Sequence, residues 1–262
     1  MMGKAKVPAW SGAVTLQPGC LVFSGAVGTT ELHAHAAMQV MVVTAGEVQL
    51  RDGHGQRRST RMALIPSRAL HAIHGPEATA VFMYCDPDSP LACGLRARIV
   101  GEDQDHVDGW IAAAQSSPPV RQEARQRLTG DQDPYAWLAD PRAGLSCHPA
   151  VRRAMDHTQR LLGGPVRLQD LAVVVGLSAS RLGHLFAEEL GLPFPVYLRW
   201  ARLRRAMELV QEGTSLTKAA HGAGFADSSH LTRVFHEMFG LAPSTVLRSI
   251  RWAAPESDGR LA

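Results

Sequence analysis

The stretch "LTKAAHGAGFADSSHLTRVFHEMFG", Leu216 to Gly240, reads as a short helix, a tight turn and a second helix. Gly224 lies where the chain must leave the first helix. Asp227 stands where a side-chain oxygen can accept from the free N–H groups that open the next helix. Ala220 is small enough to let the two helices approach, and Leu231, Val234 and Phe235 recur at the spacing of an inward helical face. Upstream, "LQDLAVVVGLSASRLGHLFAEELG", Leu168 to Gly191, repeats the pattern, with Gly176 at the turn, Ser178 as the cap and Ala172 as the small residue. Its Leu182, Leu185 and Phe186 point inward in the same way. Leu168, Leu171, Ala172, Val175 and Leu177 align with Leu216, Ala219, Ala220, Ala223 and Phe225. After a one-residue slip, Leu182, Phe186 and Gly191 align with Leu231, Phe235 and Gly240. One structural unit therefore occurs twice.

A single helical hairpin of this kind is compatible with many packing roles. Two copies joined by the basic segment "PVYLRWARLRRAMELVQEG", Pro195 to Gly213, point instead to paired helix-turn-helix units whose second helices reach the major groove on one face of a duplex. The charges agree: residues 148–252 hold thirteen Lys/Arg against eight Asp/Glu, residues 1–147 hold thirteen against fourteen, and the whole chain is only +3. Phosphate contacts need cations, although a basic face is also a common way to stay solvated.

The segment "SLTKAAHGAGFADSSHLTRVFHEMFGLAPS", Ser215 to Ser244, resembles the signature of the AraC-type transcription factors. Gly-Phe, Asp, Ser, an apolar residue, Arg, Phe, Phe-Gly and Pro follow in order, and the resemblance runs from Val151 to Arg251. It implies a DNA-binding domain whose two recognition helices enter adjacent major grooves. Carried onto this chain, the first helix offers Ser178, Ser180, Arg181, Gly183 and His184. The second offers Asp227, Ser228, Ser229, His230, Thr232 and Arg233, with His236 next to the backbone phosphates. Arg181 and Arg233 are the first candidates, because a guanidinium grips guanine bidentately while Ser and Thr hydroxyls reach base edges or phosphates. Gly183 and His184 depart from the polar and basic residues frequent there in the family, which weakens a base-reading role for the first helix.

From Ala13 to Tyr84 the chain consists of short apolar runs, "CLVFSG", "MQVMVVTAGEVQL", "MALIPS" and "TAVFMYC", punctuated by Gly, Pro, Asp and His. That is the pattern of an antiparallel sandwich or barrel. "GTTELHAHAAMQVMVVTAG" resembles the first cupin motif, with Gly28, His33, His35, Gln39 and Gly46, and "PSRALH" resembles the second, with Arg68 where cupins commonly carry Gly. Residues i and i+2 of a strand share a face, which accounts for the H-x-H spacing. The resemblance implies that His33, His35, Gln39 and His71 converge. Three imidazoles suit Zn, Ni, Fe or Mn, with Gln39 a weak neutral fourth ligand in place of the usual carboxylate and His74 just beyond. The same residues fit two other readings, a polar pocket for a small organic effector and a closed structural core.

The expected fold class is α+β, with a cupin-like β-barrel or sandwich over residues 1–100 and an all-α double helix-turn-helix domain over 148–252. Residues 101–147 form a helical linker, broken by prolines, and 253–262 a disordered tail. In the linker Val107, Trp110, Ile111 and Ala114 make a stripe that either serves dimerisation or packs on the sheet. With 45 % hydrophobic and 19 % charged residues, the composition is that of a globular protein. No apolar run approaches the roughly 20 residues of a membrane span. The N-terminus lacks the apolar core of a secretory signal, so a cytoplasmic location is expected. Cys20, Cys85, Cys93 and Cys147 form no C-x-x-C pair and read as buried thiols rather than a zinc ribbon or a redox motif.

These features point to a sequence-specific DNA-binding regulator whose barrel senses a small molecule or a metal. Its expected partners are an operator duplex, RNA polymerase and a second copy of the chain. A metal-dependent cupin enzyme fused to a DNA-binding module is the alternative, and an architectural protein with a filled barrel is a third. The missing carboxylate and the lack of another acid–base constellation count against the enzyme.

Overall fold

A computed structural model describes residues 10–99, 104–116 and 147–253. Strands β1 (Ser11–Gln17) and β2 (Cys20–Ala26) form a hairpin whose turn places Gly19 at φ 78°. With β3 (Met38–Ala45), β6 (Met62–Ile65) and β8 (Thr79–Cys85) they make a sheet of order β6-β3-β8-β2-β1. A second sheet of order β5-β4-β7 comes from β4 (Val48–Asp52), β5 (Arg57–Thr60) and β7 (His71–His74). Met41 and Phe82 of the first sheet share one core with Leu50 and Ile73 of the second, so the two close into the expected β-sandwich.

Two helices lie on this half. Helix α1 (Pro90–Arg96) is capped by Ser89, and α2 (Val107–Gln115) packs on β6. In the α2 stripe, Val107 and Trp110 are fully buried within the chain, and Ala114 nearly so. Buried Asp52 fixes the start of the helix by accepting the Val107 N–H at 3.1 Å. Val107, Trp110 and Ala114 pack on the chain's own sheet, and Ile111 is half-buried beside them. The remaining linker residues 117–146, with Pro118, Pro119, Pro134 and Pro141, and the tail 254–262 lie outside the described residues. Cys20 and Cys85 are buried, whereas Cys93 and Cys147 are only half-buried.

The C-terminal half is a chain of helices: α3 (Pro149–Leu161), α4 (Leu168–Val175), α5 (Ala179–Leu190), α6 (Phe194–Gln211), α7 (Leu216–Gly222), α8 (Ser228–Phe239) and α9 (Pro243–Ser249). It is not purely helical. Its last residues form β9 (Ile250–Trp252), which pairs in parallel with the edge strand β1, Val14 opposite Trp252. An edge strand presents a row of unpaired N–H and C=O groups, and β9 fills part of that row. Among the described residues no single helix is long and apolar enough to cross a membrane.

Candidate DNA-binding surface and buried histidine site

The two repeats fold as the sequence indicates. Helices α4 and α5 meet at 93°, and Gly176 takes φ 74° at the turn, within the range of helix-turn-helix pairs. The Ser178 hydroxyl accepts the Arg181 N–H at 3.2 Å. In the second unit Gly224 takes φ 82° and the Asp227 carboxylate accepts the His230 N–H at 2.7 Å. Between the units runs α6, whose 18 residues span about 27 Å. Its arginines are largely occupied by the chain itself: Arg199 pairs with Glu237, Arg202 donates to the Gly164 carbonyl, Arg204 pairs with Asp86, and Arg205 pairs with Glu208. The basic excess of this half is therefore not one free basic face.

Ser180, Arg181 and His184 are exposed on α5, as are Ser229 and Arg233 on α8, while Ser228, His230 and Thr232 are half-buried. Arg181 lies 3.7 Å from Glu188, whereas Arg233 has no hydrogen bond or ion pair among the described residues. Three of the sequence candidates have other tasks. Ser178 and Asp227 cap their helices with the oxygens that would otherwise reach DNA. Gly183 is half-buried and lies on the side toward α4, where a Cβ would make an ordinary contact with the Leu168 side chain at 3.4 Å. His236 sits 3.6 Å from the Glu31 carboxylate, turned toward the barrel rather than toward an approaching phosphate.

In the barrel, His33, His35 and His71 do converge, with one ring nitrogen of each within 4.8 Å of the others. His33 and His71 are paired by reciprocal backbone hydrogen bonds of 2.9 Å, and His35 reaches the same space from the segment leading into β3. Gln39, on β3, is fully buried beside them. His74 points elsewhere, its Nδ1 2.8 Å from the Thr29 hydroxyl.

The hydrogen bonds fix how the site is protonated. Nδ1 of His33, His35 and His71 each lies 2.9 Å from a backbone carbonyl, of Glu31, Ala37 and Ala69 respectively. A carbonyl only accepts, so each Nδ1 carries a proton and donates it. Burial, reinforced by the neighbouring imidazoles, pushes His33 down to about 3 and lowers His71, and burial lowers His35, so all three rings are neutral and every Nε2 is a bare lone pair.

Those lone pairs lack donors. Nε2 of His33 and of His71, and the Gln39 amide nitrogen, have no hydrogen-bond partner among the described residues. His35 Nε2 faces Gln39 Oε1 at 2.8 Å, which sets two acceptors against each other with no proton between them. Turning the Gln39 amide over would satisfy one of these atoms and leave the other without a donor. Buried unsatisfied acceptors are costly, whereas histidines anchored through Nδ1–H to carbonyls, with Nε2 aimed at a common point, are the arrangement of a metal ligand set. The residues fit a divalent ion. Ring centroids only 4.2, 5.1 and 5.9 Å apart leave no room for an organic molecule between them.

The pattern of residues did not announce how closely the two halves pack. Trp200 of α6 donates its indole N–H to Asp86 at 2.8 Å, the Tyr197 hydroxyl donates to Asp88 at 3.3 Å, and Arg204 donates to the Gln17 carbonyl at 3.0 Å. Burial pushes the Asp86 carboxyl up to about 6 despite the nearby Arg204 and Trp200. Asp86, Asp88, Tyr197, Trp200 and Arg204 line a cleft of about 640 Å³ between barrel and α6. Trp200 also faces His35, and Phe239 at the end of α8 packs edge-on against Tyr84 at 5.3 Å, so the histidine site abuts the helical half. A Trp and an Arg on the inner face of a helix are visible in sequence, but their acidic partners lie more than 100 residues away.

The family described as "Helix-turn-helix domain" matches residues 171–249. The "HTH-type transcriptional activator RhaR" of Pectobacterium atrosepticum is 34 % identical over 91 residues, which cover 34 % of this chain and 32 % of that protein. The "HTH-type transcriptional regulator GlxA" of Rhizobium meliloti is 28 % identical over 116 residues, covering 44 % of this chain and 36 % of that one. The match thus spans about a third of the length of these relatives. Among solved structures, ToxT from Vibrio cholerae O395 superposes over 89 % of this chain and 98 % of its own, with a TM-score of 0.56 at 14 % identity, a likeness of fold alone. ToxT has also been solved with an unsaturated fatty acid bound. Residues 171–249 of the chain thus match the model of a helix-turn-helix domain.

Proposed function

We propose that this protein is a cytoplasmic, sequence-specific transcriptional regulator whose two helix-turn-helix units read adjacent major grooves of an operator. The observation that carries the reading is the duplicated unit itself, two capped recognition helices with Ser180, Arg181, Ser229 and Arg233 exposed on them. Relatives named as regulators and activators support regulation over catalysis, and action together with RNA polymerase follows from that reading.

The sensed species, in this reading, is a divalent transition-metal ion held by His33, His35 and His71, with Gln39 as a neutral fourth ligand. Neutral nitrogen donors suit Zn, Ni, Fe or Mn better than the hard ions Mg or Ca. The chain's contribution is a set of neutral donors, pre-oriented by backbone carbonyls and shielded from water. A second reading, a small organic effector, is favoured by the cleft lined by Asp86, Asp88, Tyr197, Trp200 and Arg204, whose lining includes none of the histidines. Selection of bound duplexes from a random pool, with and without a chelator, tests the function. Enrichment of two elements about one helical turn apart is expected. A pool that stays random in both arms would overturn the DNA-reading function, and an identical enriched set and affinity in both arms would remove the metal as the signal.

A further inference from the structure

The loop that carries two of the three histidines also caps the second recognition helix. An α-helix ends with carbonyls that have no partner inside it. At the end of α8, the Gly240 carbonyl accepts the Glu31 N–H at 2.8 Å and the Glu237 carbonyl accepts the Ala34 N–H at 3.3 Å. Glu31 is held from its other side as well, because its own carbonyl accepts from His33 Nδ1 at 2.9 Å. Segment 31–35 therefore lies between the histidine cluster and the helix end, hydrogen-bonded to both.

The fit at this junction is tight. Gly240 is buried in the left-handed region at φ 65°, and a Cβ on it would stand 2.5 Å from the Glu31 carbonyl oxygen and 2.7 Å from His33 Nδ1. Around it, Phe239 packs on Tyr84 and Trp200, Trp200 faces His35, and His236 faces Glu31. Any displacement of His33 and His35 must move the backbone that holds the last turn of α8.

We infer that His33, His35 and His71 act as a metal-operated clamp on the second recognition helix: with a divalent cation on their Nε2 atoms, segment 31–35 is fixed and α8 is held docked against the barrel. This rests on the metal reading above. Three histidines that bind only when converged stabilise whatever conformation brings them together, and here that conformation includes the docked helix. His33, carrying a cation on Nε2, is also a stronger Nδ1–H donor to Glu31, which tightens the same connection. By linkage, a duplex that pulls α8 away from the barrel must weaken the histidines' hold on the cation by the same factor by which the cation disfavours that duplex.

The test uses the full chain, stripped with chelator and reloaded with cobalt(II), whose visible spectrum reports nitrogen coordination independently of any DNA. Hydrogen exchange is then followed at the amides of Glu31, Ala34 and Gly240. The expected result is that these amides exchange at least about tenfold more slowly in the loaded protein, while the end of α5 at Gly191 is unchanged. His71→Gln, which alters a ligand on β7 and leaves segment 31–35 intact, should abolish both the cobalt spectrum and the added protection. A cobalt spectrum that appears without slowing at the α8 end overturns the clamp and leaves the metal site standing. Failure of the full chain to bind cobalt overturns both.

Discussion

The two helix-turn-helix units are near-copies, yet the barrel half holds the ends of their recognition helices by different means. Helix α5 closes at Gly191, φ 67°, and its Glu189 carbonyl is taken by the Arg96 guanidinium, a side chain reaching across from α1. Helix α8 closes at Gly240, φ 65°, and its carbonyls are taken by backbone N–H groups of the histidine loop. A long Arg side chain can let go and rebind while the main chains stay where they are. A backbone-to-backbone connection cannot. The first unit is tethered and the second is clamped, a difference that lies in what each Gly touches rather than in the repeat itself.

Substituting the two glycines exposes that difference directly. Gly191→Ala meets nothing closer than the Arg96 side chain at 3.6 Å, so it should cost only the left-handed backbone strain, about 1 kcal/mol. Gly240→Ala carries the same strain and also drives a methyl group to 2.5 Å from the Glu31 carbonyl oxygen, so about 3 kcal/mol should be lost. Urea unfolding of the two variants measures both quantities. Equal losses would mean that the α8 end is no more tightly held than the α5 end, and the contrast would collapse.

DNA affinity gives the next test, on the opposite side of the same helices. Arg233 is exposed and has no partner among the described residues, while Arg181 lies near Glu188. Arg233→Ala should weaken operator binding by about 1–3 kcal/mol and reduce the salt slope by about one. Arg181→Ala should weaken it less, because a guanidinium that must leave a carboxylate delivers less net energy, although an exposed pair of this kind is worth only about 0.2–1 kcal/mol. Anisotropy titrations over a salt series separate the two. A larger loss at Arg181 would make the first unit the reader and reverse the assignment.

What could be read in advance follows the range of the interactions. Gly176 and Gly224 at the turns, and the caps Ser178 and Asp227, are local consequences of backbone geometry, and all appear where the pattern places them. The convergence of His33, His35 and His71 needed only a strand alternation and a family resemblance. For His236, a helix position alone does not show that Glu31, some 200 residues earlier, comes to face it. The pairing of β9 with β1 was equally invisible, since "IRW" carries no signal of which edge it will meet. Non-local docking gave one candidate DNA contact, His236, an interdomain partner, and it is the kind of information that residue spacing does not hold.

The smallest expected effect concerns a third left-handed position, this time in the barrel and without a glycine. Arg68 takes φ 67°, the only non-Gly residue at positive φ among those described, at the place where the cupin motif commonly has Gly. Its N–H donates to the His35 carbonyl at 2.8 Å, and its side chain is exposed, so the conformation is set by the backbone and not by the guanidinium. Holding an Arg there costs roughly 1–2 kcal/mol, and Arg68→Gly removes that cost while giving the unfolded chain more freedom, worth about 0.4–1 kcal/mol in the other direction. The net expectation is a gain of about 0.5–1 kcal/mol in urea unfolding, with the His35 carbonyl still held by the same N–H and cobalt binding unchanged. A loss of cobalt affinity in a more stable Arg68→Gly protein would show that strain beside His35 positions the ligand set, and the barrel would then hold its histidines as firmly as it holds the end of α8.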